Sequence, residues 1–391
     1  MWRYVKKKIA LSRLNVIEVH HHTFAYGHTH ALAEYLRERA SSFIFVQHPF
    51  AHRRFHPSTV ELYVSGRLVK RIVTPPIRAP EIALFIKDLL LTVIFALRIR
   101  RRVQLFIGAD ALNALSGIFL RIMGFTRFVV LFAIDYTPRR FPNRLLNFLY
   151  HTLNMVVARH CDLVWAVSRR IKKAYCEVYG TRCPIIIVPG GANRPPVTPD
   201  PQITHNRLVF LGTLEKSKGL QLAIRVLPLI KERIPKVKLL VIGTGSYYDD
   251  LKKLANELEV QDTIEFVGHL LNHEKAMLML TQCDIGLAPY VPEVTNISAY
   301  GAPFKIREYL MAGLPVIVTN VPETVREVSD MHAGIVIDYK VENLANAIVH
   351  LLSDQALLRT YKENAIRLGQ EFLWDKIFDH TMAETIRILG K

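Results

Sequence analysis

The chain has 391 residues, half of them hydrophobic and 22% charged, which is enough apolar surface for two buried cores and argues against a disordered protein. Residues 1–190 carry 29 basic and 10 acidic side chains, residues 191–391 carry 22 and 24, so the first half is strongly cationic and the second near neutral. That asymmetry argues against a uniform nucleic-acid coat and points to an anionic surface docked by the first half.

Met1 to Lys8 is basic, but Ser12, Arg13, Asn15 and Glu18 interrupt any apolar run behind it, so no secretory signal is expected. Strands are expected over residues 15–20 and 43–46. Between them lies His20-His-His-Thr-Phe-Ala-Tyr-Gly-His-Thr-His30. No carboxylate or cysteine spacing completes a metal site among its five histidines; the expectation is instead that Gly27 gives the loop freedom to approach a diphosphate, with His28 as a neutral donor. Residues 82–99 are the most apolar stretch, yet Lys87 and Asp88 break it and basic residues Arg98 to Arg102 follow. It is too short to span a bilayer. A buried or surface-lying helix is expected, the competing reading being an interfacial helix whose arginines meet lipid headgroups.

Further strands are expected over residues 103–107, 128–134, 163–167 and 185–188. Two of them deliver acids to their carboxyl ends, Asp110 and Asp135; for each, a helix N-cap is the plainer role. Residues 189–201 hold five prolines and two glycines, which cannot sustain helix or sheet interior and mark a linker. Beyond it, strands over residues 208–211, 238–242, 263–267, 285–288, 315–318 and 335–337 alternate with helical periods, the pattern of parallel α/β units. The division expected is a domain over residues 1–190, a linker over 191–206, a second domain over 207–370 and a final helix over 371–391. Chemistry is expected in a cleft between the domains, beyond the strand carboxyl ends. Four cysteines without a CxxC pair are expected as reduced thiols in a cytosolic protein.

The chemistry-bearing residues concentrate in the second half. Gly212 permits a tight exit from a strand, Gly219 opens a helix and Lys218 sits just before it, so unpaired N–H groups and an ammonium converge as for a diphosphate. Gly243-x-Gly245 ends the next strand, and Gly268 with His269 the third, where backbone could read a base edge. Pro303 opens, and Gly313 closes, a helix of about ten residues on which Lys305 and Glu308 share a face: Glu308 for ribose hydroxyls, Lys305 for phosphate oxygens.

The order Gly212-x-Leu-x-x-x-Lys-Gly219, Gly243-x-Gly245, Phe266-Val-Gly268, Cys283-Asp-Ile-Gly-Leu-Ala-Pro289 and Lys305-x-x-Glu-Tyr-x-x-Ala-Gly-x-Pro315 resembles the second domain of group 1 glycosyltransferases, family 4. The resemblance implies an α/β GT-B fold of two Rossmann-like, doubly wound parallel-sheet domains, a nucleotide-diphosphate sugar as donor, transfer with retention, no cofactor and no essential metal. It implies that Lys218 holds the diphosphate and Glu308 the ribose, and that the last helix, from Phe372-Leu-Trp374 onward, crosses back to the first domain. Two positions depart from the family pattern: Thr213 stands where an arginine is common, and Tyr300 stands eight residues before Glu308, where a second glutamate is usual. Lys305 is expected to supply the missing cation and the backbone of Gly301–Ala302 to face the sugar. Where the family frequently carries a catalytic histidine, this chain has Ala133 or Ile134. Catalysis is therefore expected from Asp135, Lys218 and Glu308, with Asp110 and Asp135 facing a lipid or lipid-linked acceptor. The enzyme is expected in the cytoplasm, peripheral on the inner face of a membrane. The competing readings are a GT-B nucleotide-sugar epimerase or hydrolase, a non-catalytic nucleotide-sugar-binding subunit, and a basic nucleic-acid module, the last lacking aromatic–basic motifs.

Overall fold

A computed structural model describes residues 11–21, 26–50, 57–77, 79–99, 102–270, 272–293, 297–301 and 303–390. The chain divides into two units, one of Met1–Pro189 with Ile377–Lys391 and one of Gly190–Lys376.

The first unit runs β1 (Asn15–His21), α1 (His28–Arg39), β2 (Ser42–His48), β3 (Thr59–Val64), β4 (Arg67–Val73), α2 (Glu81–Ile99), β5 (Val103–Ala109), α3 (Ala111–Ile122), β6 (Thr126–Ala133), α4 (Arg144–His160), β7 (Leu163–Ala166), α5 (Arg169–Glu177) and β8 (Ile185–Ile187). Its sheet has the order β4-β3-β2-β1-β5-β6-β7-β8. The six strands from β2 to β8 pair in parallel. They are apolar on both faces because helices cover both.

β3 and β4 add an antiparallel hairpin to the edge, which the strand assignments from sequence omitted. Its signal was present: Ser65-Gly66 separates two β-rich runs, and both residues take positive φ, 47° and 79°, as a two-residue hairpin turn requires. α2 lies on the surface, and no helix among the described residues is long and apolar enough to cross a membrane.

The second unit runs β9 (Arg207–Leu211), α6 (Leu220–Arg233), β10 (Lys238–Ile242), α7 (Tyr248–Glu257), β11 (Ile264–Gly268), α8 (His273–Leu280), β12 (Ile285–Ala288), α9 (Phe304–Met311), β13 (Val316–Thr319), α10 (Val325–Asp330), β14 (Gly334–Ile337), α11 (Val341–Ser353) and α12 (Gln355–Gln370). The sheet is wholly parallel in the order β11-β10-β9-β12-β13-β14. Counted from β9 this is the doubly wound order 3-2-1-4-5-6, whose direction reverses between β9 and β12. Leu208, Phe210, Val241 and Ile285 build the core on one side with α6 and α11; Val209, Leu240 and Val316 build the other with α9.

α13 (Trp374–Leu389) begins in the second unit and ends in the first. Within the first unit Phe378 is fully buried, Asp379 accepts from the Tyr35 hydroxyl at 2.7 Å and Thr385 accepts from the Trp165 indole at 3.0 Å.

Candidate functional site

The reversal between β9 and β12 opens a gap at the carboxyl edge of the second sheet, and α9 is fixed beneath it by one side chain. Tyr309 is fully buried. Its hydroxyl accepts from the Leu211 amide at 2.7 Å and donates to the Leu287 carbonyl at 3.3 Å, so it spans both strands of the gap. Lys305 stands four residues before Tyr309 in the helix, and Glu308 immediately before it, one turn on from Lys305. The helix is eight residues long rather than about ten, because Pro303 is its cap and not its first residue. Glu308 accordingly lies inside the helix rather than at its end.

Lys305 is buried, and among the described residues its ammonium has no hydrogen-bond partner. It lies 3.8 Å from the Phe210 ring centroid and 5.3 Å from that of Tyr290; the ring faces offset part of its desolvation. Burial, and then the charge of Lys218, hold it well below the usual lysine range, with Glu308 pulling the other way. Lys218 ends a single 3-10 turn, Lys216–Lys218, and donates to the Ser298 hydroxyl at 3.1 Å; burial lowers its pKa too. Glu308 stands 3.6 Å from His273 Nδ1. Burial pushes its carboxyl up to about 7 against the pull of Lys305. Two lysines and a glutamate thus bear on one another at the strand reversal, carrying excess positive charge that burial disfavours. Such a site gains most from an incoming anion.

The loops around these charges approach one another closely. A Cβ on Gly219, at φ 80°, would sit 1.7 Å from the Pro289 carbonyl; one on Gly243, at φ 143°, would sit 2.0 Å from the Gly212 carbonyl. Both positions therefore require glycine. Gly212 and Gly243 amides donate to Ile242 and Gly268 carbonyls at 2.9 and 2.8 Å, which interlaces the ends of β9, β10 and β11. Gly245 packs against Leu214. Thr213 and His269 are exposed, Gly268, Tyr300 and Gly301 half-buried. Ala302 lies outside the described residues. Asp284, within the expected motif, belongs to the opposite edge: it accepts from the His205 and Arg207 amides and pairs with buried Lys362 at 2.7 Å. Ser298, Tyr290 and His273 went unremarked in the sequence; only Tyr290, directly after the Cys283–Pro289 motif, had a signal.

In the first unit the order reverses between β1 and β5, and their ends bring His21 and Asp110 together. Asp110 caps α3, accepting from the Asn113 amide at 3.0 Å. Its backbone, φ 79° and ψ 168°, lies in a region that only glycine occupies freely, yet its side chain is 47% exposed. His21 Nδ1 is 3.4 Å from Asp110 and its Nε2 3.4 Å from Asp88 of α2. Burial alone would lower His21, but these carboxylates raise it to about 9. Asp88 also meets His48 Nδ1 at 3.2 Å and Lys87 at 2.7 Å. In the sequence Lys87 and Asp88 were merely interruptions of an apolar run, and the network was not foreseen. Asp135 pairs with Arg140 at 2.8 Å and caps no helix; α4 is capped by Asn143. Both aspartates bear on Arg140 and Tyr150. Gly27 has φ −168°, an extended backbone open to any residue. His28 is buried against Phe132 and lowered to about 3, a neutral side chain turned into the core. Among the described residues no three His, Cys, Asp or Glu side chains are grouped to hold a metal ion.

Residues 200–368 match the family described as "Glycosyl transferases group 1". A GDP-mannose-dependent alpha-(1-6)-phosphatidylinositol monomannoside mannosyltransferase of Mycobacterium tuberculosis is 26% identical over 209 residues, covering 50% of this chain and 53% of that protein. A poly(glycerol-phosphate) alpha-glucosyltransferase of Bacillus subtilis is 24% identical over 172 residues, 42% of this chain and 24% of that protein. The chain thus matches only about half, or less, of the length of these curated relatives. Among solved structures, sucrose-phosphate synthase from Thermosynechococcus elongatus superposes with a TM-score of 0.71 at 19% identity, covering 96% of this chain and 99% of that one. HepE of Anabaena, in complex with UDP, gives 0.68 at 16% identity over 96% and 100%. The fold is GT-B, and the second unit carries the stretch that matches the group 1 glycosyltransferases.

Proposed function

We propose that this protein transfers a sugar from a nucleotide-diphosphate donor to the hydroxyl of a lipid or lipid-linked acceptor, with retention and without an essential metal. The observation that carries the reading is the buried, hydrogen-bond-free ammonium of Lys305 beside Lys218 and Glu308 at the strand reversal. A departing diphosphate gains negative charge, and fixed cations beside the amino end of α6 stabilise it without reorganising. Lys218 and Lys305 hold the phosphate oxygens, with the glycine loops of Gly212, Thr213, Gly243 and Gly245 around them. Glu308 accepts from the ribose hydroxyls, and Gly268 and His269 border the base. Tyr300 and the Gly301 backbone face the sugar. In retaining transfer the acceptor enters on the leaving-group face, so a departing phosphate oxygen takes its proton and no protein base is required. Asp110 and Asp135 orient the acceptor hydroxyl. The mannosyltransferase relative, named for a phosphatidylinositol acceptor and GDP-mannose, supports a lipid acceptor, as does the cationic first half of the chain. Both favour a cytoplasmic enzyme, peripheral on the inner face of a membrane.

A thermal-shift panel of UDP, GDP and ADP with their sugars tests the donor site, since a ligand at a hundred times its Kd adds about 2.7 kcal/mol of stability. One base and sugar should stabilise the wild type selectively, and Glu308→Ala and Lys218→Ala should abolish that shift while remaining folded. Unchanged shifts in both variants overturn the assignment. Release of free or rearranged sugar without an acceptor would instead mark a hydrolase or epimerase.

A further inference from the structure

Two of the four cysteines meet. Cys161 caps the carboxyl end of α4 and Cys183 stands in the loop before β8, and their Sγ atoms are 3.6 Å apart across 22 residues of chain. Backbone hydrogen bonds fix both positions. The Cys161 amide donates to the Val157 carbonyl at 2.9 Å, the Asp162 amide to Val129 at 2.9 Å and the Val164 amide to Pro184 at 3.0 Å. β7 and β8 pair Val164 with Ile185, and that register, continued backward, brings Cys183 alongside Asp162 and Cys161. The sulfur contact is therefore built into the edge of the first sheet. The other two thiols are placed otherwise: Cys283 lies in the core of the second unit, donating to the Met279 carbonyl at 3.4 Å, and Cys176 is exposed on α5.

The two sulfurs differ in a way that suits stepwise chemistry. Cys183 is half-buried between exposed Arg182 and Pro184, so a small solute reaches it, whereas Cys161 is buried. Burial keeps the proton on Cys161, whose thiol then donates to Cys183; the Ala158 carbonyl, its other acceptor, is further off at 3.8 Å. That donation holds Cys183 below the usual cysteine range, against partial burial and the Asp162 carboxylate. Cys161 is raised by the same contact and by burial. The thiolate is the attacking form of cysteine. An accessible thiolate beside a protonated, sheltered partner is the arrangement of an attacking and a resolving thiol.

We infer that Cys161 and Cys183 are a peroxide-responsive pair that closes to a disulfide and staples β8 to the end of α4. The Cys183 thiolate attacks one oxygen of hydrogen peroxide, the O–O bond breaks, and hydroxide leaves to take up the proton that Cys183 had released. The Cys161 sulfur then attacks the resulting sulfenic acid, forming the S–S bond and expelling the oxygen as water with its own proton. Two thiols are oxidised by two electrons, and one peroxide is reduced to two waters. The sulfurs must approach by about 1.6 Å to bond, within reach of side-chain rotation. The strand they hold has little else to fix it: β8 is three residues long, half-buried and paired on one side only. The chain leaves it directly for the second unit, which begins at Gly190. In a reducing compartment such bonds are transient and sensing, so paired thiols are the resting state. None of this draws on the donor site.

The test is a peptide map of the full chain, fully reduced, exposed to hydrogen peroxide while folded, then alkylated and cut with trypsin. Cleavage puts Cys161 in residues 160–169, Cys176 in 174–182 and Cys183 in 183–207, so each pairing is distinguishable. Peptides 160–169 and 183–207 should be recovered joined, with Cys176 and Cys283 alkylated. Hydrogen exchange at Ile185–Ile187 should slow at least about tenfold on oxidation, because the bond removes open states of the edge strand. Dithiothreitol should reverse both changes. Four alkylated thiols after peroxide, a link through Cys176, sulfinic acid at Cys183 in place of the bond, or a link that forms only in denaturant would each overturn the inference; so would a bond that leaves β8 exchange unchanged. Cys183→Ser should abolish the link and the slowed exchange; should that variant not fold, the wild-type map with and without dithiothreitol decides alone. Nucleotide thermal shifts report the donor site separately, so failure here is distinct from failure of that assignment.

Discussion

On the function proposed above, Lys305 and Glu308 illustrate how a binding residue works against the stability of the empty protein. A buried ammonium without a hydrogen-bond partner costs on the order of 1–3 kcal/mol, of which the Phe210 and Tyr290 faces return a part. Lys305→Met keeps the aliphatic contacts and removes the charge. It should raise the stability of the unliganded protein by about 1 kcal/mol in urea unfolding while weakening nucleotide binding by tenfold or more; a variant less stable than the wild type would place the lysine among structural residues. Glu308 has the opposite protonation sense. Its folded pKa of about 7 lies above the ordinary 4.5, so the native state binds the proton more tightly than the unfolded chain. That stabilisation is complete below about pH 4.5 and is lost as pH rises through 7. Glu308→Gln should match the wild type near pH 4.5 and exceed it above pH 7 by on the order of 3 kcal/mol, the equivalent of the shift. A pH-independent difference in urea midpoints would refute the assignment. The sequence made Lys305 and Glu308 legible through spacing and motif, but not that Tyr290 would stand beside Lys305 or Ser298 beside Lys218, because tertiary neighbours leave no local pattern.

At the scale of elements, the parallel strands were legible because continuous apolar runs alternate with helical periods and glycine marks their ends. The β3–β4 hairpin was legible only in its Ser65-Gly66 turn, since Arg67-Leu-Val-Lys-Arg-Ile-Val73 keeps no clean alternation and nearly all of β4 is exposed. α2 misled for a related reason. Its charged pair read as an interruption of an apolar helix, whereas Asp88 organises the interior: His21, His48 and Lys87 hold its carboxyl far below the ordinary range although burial pushes it up. Removing one member of a buried ionic cluster leaves the others uncompensated and costs on the order of 3–5 kcal/mol. Asp88→Ala should therefore lose about that much stability, read in the unfolding of the first unit, and should return the His21 imidazole from about 9 toward or below neutrality in a histidine NMR titration. An unshifted His21 would show that Asp110 alone governs it.

For the whole chain, charge and chemistry divide along the same line. The second unit carries the family motifs on a near-neutral surface, while the first concentrates the basic residues and lies outside the matched stretch. On the function proposed above, the first unit takes the variable acceptor and left few signals in sequence, whereas the second takes a common diphosphate and left five. Hydrogen exchange in the presence of the preferred nucleotide should slow most at the loops following β9, β10 and β12, by at least tenfold; protection confined to the ends of β1 and β5 would relocate the donor to the first unit. The path of α13 carries a different consequence. The residues that seal Trp165 and Tyr35 come from Ile377 onward, so a nascent first unit must wait, its core unclosed, while the entire second unit is translated. A chain shortened by those few residues would therefore show its damage at the opposite end, in the part synthesised first.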